Sequence, residues 1–166
     1  DYDIAVQTSP GFTVIGSGFI DQEENVWRFA LTAARGVALV ISDQLVLTAD
    51  SSARGEESDS EIPVRIYHLD GHESAAQAAA QAIKEALSLF ATSFGPYPYD
   101  EINVVEAVQF GGMEYTGLIT FSSQWFADYR APVADATTGA SSAAEFGAEF
   151  GPDYLVRFVV HELGHQ

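Results

Sequence analysis

The first seventy residues alternate apolar and polar positions over short stretches, the period of strands with one buried face. Asp1 to Gln7 alternates weakly, and Phe12 to Gly18 is a β-branched run broken by glycines. Asn25 to Ala33, Val37 to Ser42 and Leu45 to Ala49 are short apolar stretches separated by turn residues; Ile62 to Leu69 alternates again. This pattern predicts a sheet of short antiparallel strands. Ser51 to Glu61 is polar and acidic and predicts an exposed hairpin loop. The period changes at Asp70-Gly71. From Glu73 to Phe94, Ala79, Ala82, Ile83, Ala86, Leu87 and Phe90 recur at helical spacing, and Gly95-Pro96 ends the helix. Glu101 to Gln109 and Gly117 to Ser122 predict two more strands, with a glycine-rich turn at Gly111-Gly112-Met113-Glu114-Tyr115 between them. Ala131 to Gly151 is a low-complexity stretch that predicts a loop or a weak helix near 140–150. A last helix starts near Asp153, with Pro152 and Asp153 as its start signal. The fold class is therefore α+β, without internal repeats.

That last helix carries the clearest chemistry. Leu155, Val156, Phe158, Val159 and Val160 predict a buried segment, which runs into His161-Glu162-Leu163-Gly164-His165-Gln166. The pattern is H-E-x-x-H, two histidines of a zinc-hydrolase site. Helical residues four apart share a face, so His161 and His165 can bind one zinc ion. At the end of an apolar run they are expected to point into a cleft. Glu162 is placed to take a proton from the attacking water. With this composition, a chance occurrence has a probability on the order of 1%. Catalytic zinc usually takes three protein ligands plus water, so two histidines alone predict weak binding.

Composition narrows the partners. The chain has 24 acidic and 7 basic residues, a net charge of −17, which argues against nucleic-acid backbones. Cysteine is absent, excluding a disulfide framework and thiolate ligands. No apolar run is long enough to span a bilayer. An acidic, cysteine-free chain leans towards an extracytoplasmic or membrane-associated parent protein. The chain opens on Asp1 rather than on a methionine and shows no leader, so it is expected to be a piece of something longer.

Other candidates read as ordinary structure. His68 and His72 are also four apart but flank a turn, predicting surface residues at a strand–helix junction. The acidic stretch 56–61 lacks EF-hand spacing, and Glu145 and Glu149 read as a solvated face. Gly16-Ser17-Gly18 reads as a strand end, and Trp27 and Trp125 as core.

Two motifs stand in order: G-G-M-E-Y at 111–115 and H-E-L-G-H-Q at 161–166. Together they resemble the gluzincin aminopeptidases, the membrane alanyl aminopeptidase family that includes leukotriene-hydrolase-like enzymes. F-G-P-Y-P-Y at 94–99 and G-L-I-T-F at 117–121 are similar to flanking segments of that family. The resemblance implies that residues 1–69 end an N-terminal β-rich domain. It implies that residues 70–166 open a thermolysin-like catalytic domain, with the third zinc ligand and a transition-state tyrosine in a remainder beyond Gln166. It implies zinc on His161 and His165, proton transfer by Glu162, and peptide substrates. Glu114 would hold the substrate α-amine, with Gly111, Gly112, Met113 and Tyr115 beside it; Tyr115 stands where the family signature has asparagine. Two alternatives remain: a zinc endopeptidase of the gluzincin group, and a non-catalytic β-rich interaction module. The 166-residue chain alone is expected to lack peptidase activity and to self-associate through exposed apolar surface.

Overall fold

The computed structural model describes residues 1–34, 36–53, 61–129 and 154–166, with backbone alone for 49–53. The polar stretches 54–60 and 130–153, with Glu145, Glu149 and the Pro152-Asp153 start signal, lie outside the described residues.

Among the described residues, three sheets and three helices make a mixed α+β arrangement. Strands β1 (Tyr2–Gln7), β3 (Phe19–Glu23) and β4 (Val26–Leu31) form an antiparallel sheet in the order β1-β4-β3. Strands β2 (Thr13–Gly16) and β5 (Leu39–Ser42) pair antiparallel. The main sheet contains β6 (Leu45–Ala53), β7 (Glu61–Leu69), β8 (Ile102–Ala107), β9 (Gly112–Tyr115) and β10 (Leu118–Ser122), in the order β6-β7-β8-β10-β9. Its centre, β7-β8-β10, is parallel, and both outer pairs are antiparallel. Helix α1 (Glu73–Phe94) connects β7 to β8, α2 (Ser123–Asp128) follows β10, and α3 (Tyr154–Gly164) carries the histidine motif. No helix among the described residues is long and apolar enough to cross a membrane.

Alternation along the strands sorts the core into two sides. Ile62, Val64 and Ile66 of β7, with Ile102 and Val104 of β8, pack beneath α1 and α3. Val105 and Leu118 face the opposite side and meet Ile15 of β2, with Tyr67 and Tyr115 packed alongside. Covered on both faces, β10 is buried throughout, as expected for a central strand. Helix α1 buries Ala75, Ala76, Ala79 and Ala80, whose small side chains permit close packing on the sheet. Its end is closed at Gly95, whose φ of 100° favours glycine and whose N–H donates to the Ala91 carbonyl at 3.2 Å.

Several expectations change. The stretch Gly112–Tyr115 is an edge strand, not a turn; it pairs Tyr115 with Leu118 and Glu114 with Ile119. Phe19–Glu23 and Ser123–Asp128 are a strand and a short helix that the pattern does not separate from their neighbours. Residues 51–53, expected in a loop, continue β6 opposite 61–63. The main sheet also crosses residues 69–70, because β6 and β7 pair through to β8. His68 is fully buried, contrary to the expected surface position, since it continues the inward series Ile62, Val64, Ile66. Its Nδ1 lies 2.9 Å from the Leu69 carbonyl, which can only accept, so Nε2 accepts from the Thr48 hydroxyl at 3.0 Å. His72 turns instead to Glu106, whose side chain is wholly buried; Nδ1 is 2.9 Å from Oε2. Glu106 also accepts the Leu69 N–H at 2.9 Å.

Candidate metal site at the β9–α3 junction

The site is assembled where the edge strand β9 passes the end of α3. Gly111 has φ 82°, which releases the chain from the loop after β8 into β9. A Cβ on Gly112 would lie 2.9 Å from the Phe121 ring and 3.2 Å from Glu162 Oε1. Glycine is therefore required at 112 for β9 to lie against Phe121 and the Glu162 carboxylate. Met113 is half-exposed, and strand alternation puts it on the face opposite to Gly112 and Glu114 on either side.

Helix α3 buries Leu155, Val159, Glu162 and Leu163, one stripe at positions i, i+4, i+7 and i+8. Glu162 thus sits on the core-facing stripe, 7% exposed. His161 and His165 lie to one side and are both exposed. Their Nε2 atoms are 3.2 Å apart. Two nitrogens bound to one tetrahedral zinc ion at about 2.0–2.1 Å each would be about 3.3 Å apart. The histidine spacing falls close to that value, which is also the length of a hydrogen bond between the two rings. The final turn is tight: the His165 and Gln166 N–H groups each donate to the carbonyl three residues back, at 3.2 Å.

Glu114 reaches across from β9. Its Oε1 is 3.5 Å from His165 Nδ1. Ligand atoms of Glu114, Glu162 and His165 all lie within 4.8 Å of one another, a group that can hold a metal ion. Burial pushes the Glu162 carboxyl above the usual carboxylate range, and the neighbouring Glu114 carboxylate adds to this. Glu114 is held below that range, first by its own backbone N–H and then by the Glu162 and His165 side chains. Glu162 is thus the harder of the two carboxyls to ionise, in a place where a cation would relieve the repulsion between them.

Beside this cluster is an open cavity of about 470 Å³. Glu114, Tyr115 and His165 line it on one side, and Ala33, Gly36 and Tyr99 contribute other walls. The cavity thus lies between the β4–β5 connection and the edge of the main sheet. Of the predicted site residues, Glu114, Tyr115 and His165 border the cavity, and Gly112 and Glu162 adjoin them. His161 meets only His165 within this group, and Gly111 shapes the approach. Val108 and Phe110, on the loop leading to Gly111, are fully exposed.

No protein-family model and no curated protein matches this chain. Function therefore rests on the geometry above.

Two residues outside the predicted site complete it. The Gln166 side chain bridges the β9–β10 turn, and the hydroxyl of the half-buried Tyr97 donates to it. Burial raises the Tyr97 phenol well above its ordinary range, keeping it a donor. Sequence periodicity has no signal for either contact; the position of Gln166 directly after the histidine motif is the only clue.

Proposed function

We propose that this chain carries the metal-binding part of a zinc-dependent aminopeptidase site. The observation that supports it best is the 3.2 Å spacing of the His161 and His165 Nε2 atoms, with Glu162 between them in sequence. Two imidazoles with neighbouring carboxylates suit a borderline cation such as zinc better than calcium or magnesium, which prefer oxygen. His161 and His165 would hold the ion. When bound, zinc supplies Lewis acidity that activates water and polarises a peptide carbonyl. Glu162, whose carboxylate holds a proton more readily than usual, takes the proton of the attacking water and delivers it to the leaving amine. Glu114, ionised at the cavity wall, pairs with a free α-ammonium group. A blocked N-terminus would leave that carboxylate without a partner.

The full-length protein loaded with zinc should hydrolyse amino-acid arylamides and fail on their N-acetylated analogues. Equal turnover of both would remove the aminopeptidase reading and favour an endopeptidase. Glu162→Gln should lower turnover by about 10²–10⁴-fold while leaving zinc bound.

A second reading takes Glu114, Glu162 and His165 as the ligands, from the 4.8 Å grouping of their donor atoms. Glu162 would then be tied to the ion and unable to act as a base, giving a binding site without hydrolysis. Loss of zinc binding in Glu162→Gln selects this reading; retained binding selects the first.

A further inference from the structure

We infer that Gln166 is a positioning residue that fixes the Glu114-bearing turn against the histidine-bearing end of α3. Its consequence for metal binding rests on the proposed function; the contact itself rests on geometry alone. Both ends of the carboxamide are used. Oε1 accepts from the Gly117 N–H at 2.9 Å and from the Tyr97 hydroxyl at 3.1 Å, and Nε2 donates to the Tyr115 carbonyl at 2.9 Å. One planar amide thus grips main-chain groups on both sides of Thr116. Glutamate would lack the donor, and leucine would lack every partner.

The sequence neighbours give this grip its meaning. Glu114 precedes Tyr115, and His165 precedes Gln166. The clamp therefore sets how far the Glu114 carboxylate stands from the His165 ring. Tyr97 ties in a third segment, the stretch between α1 and β8. Its ring stands edge-on to Tyr99, with centroids 5.4 Å apart, and Tyr99 lines the cavity. One side chain thus joins the cavity wall, the edge-strand turn and the metal helix.

The test compares Gln166→Leu, Gln166→Glu and Tyr97→Phe with the unaltered protein, by two readouts. The first is hydrogen exchange of the Gly117 amide without metal. Gln166→Leu should speed it at least about tenfold at unchanged far-ultraviolet circular dichroism. The second is Co²⁺ affinity, followed by the visible absorption of the bound ion. It should fall about tenfold in Gln166→Leu, by less in Gln166→Glu, and least in Tyr97→Phe, which keeps two of the three bonds. Faster Gly117 exchange with unchanged Co²⁺ affinity and spectrum would reduce Gln166 to a structural role and overturn the inference. Unchanged exchange would overturn it as well. If Gln166→Leu does not fold, the other two variants carry the same comparison. If the unaltered protein binds no Co²⁺, the metal reading fails, and Gly117 exchange alone still decides whether the clamp exists.

Discussion

The molecule holds two pairs of histidines four residues apart, and they do opposite things. His161 and His165 ride on one helix and bring their Nε2 atoms to 3.2 Å. His68 is the last residue but one of a strand and His72 precedes a helix, with the Asp70-Gly71 turn between them. Their rings take separate partners: Thr48 and Leu69 for His68, Glu106 for His72. The exposed pair has room for a ligand, whereas the buried ring of His68 spends both nitrogens on the protein. Equal spacing in sequence thus brings two ring nitrogens together only when a continuous helix carries it.

The largest test of this contrast exchanges the two pairs. His161→Ala or His165→Ala should weaken zinc binding by more than about a hundredfold, beyond what losing an outer partner costs. Equilibrium dialysis measures this. Thermal stability should change little, because both rings are exposed. His68→Ala should leave zinc affinity unchanged while costing about 2–3 kcal/mol, since it opens a cavity and strands the Thr48 hydroxyl. A fall in zinc affinity with His68→Ala would break the contrast.

The site is partly legible in the sequence because its motif lies on a strongly periodic element. Leu155 and Val159 announce helix α3, and helical spacing then puts His161 above His165. Gly112 signals close approach, and a Cβ there would meet Phe121 and Glu162, whereas one on Gly111 would meet nothing. Glu114 is legible only through its motif. Its alternation with Gly112 and Met113 is too short to distinguish an edge strand from a turn. His68 is assigned to the surface by its polarity but to the core by its period, because it extends the period-two series of Ile62, Val64 and Ile66. Period is the better guide there. Gln166 and Tyr97 cannot be found this way, because their contact joins residues 69 positions apart.

A smaller effect sharpens the contrast between the carboxylates. Glu106 is buried but paired with His72 and the Leu69 N–H. Glu106→Ala should cost about 3 kcal/mol in denaturant unfolding by leaving His72 and that N–H unpaired. Glu162 is also buried, but it faces Glu114. Its folded-state carboxyl lies above the unfolded value, so its contribution to stability is full below the unfolded value. That contribution is lost as pH rises through the folded one. Glu162→Gln cannot ionise and escapes the loss. In metal-free protein it should match the unaltered chain below the unfolded carboxyl value and exceed it in stability above the folded one. Thermal melts on either side of that range read the difference, and a destabilised variant at the higher pH would contradict the repulsion between Glu162 and Glu114.

The most direct measurement is a Zn²⁺ titration of metal-free protein beside His161→Ala and His165→Ala, with heat and bound metal recorded together. One ion per chain, lost in both variants, is the predicted result. Equal binding by all three proteins, or none by the unaltered chain, would contradict the assignment of the two histidines as a metal pair.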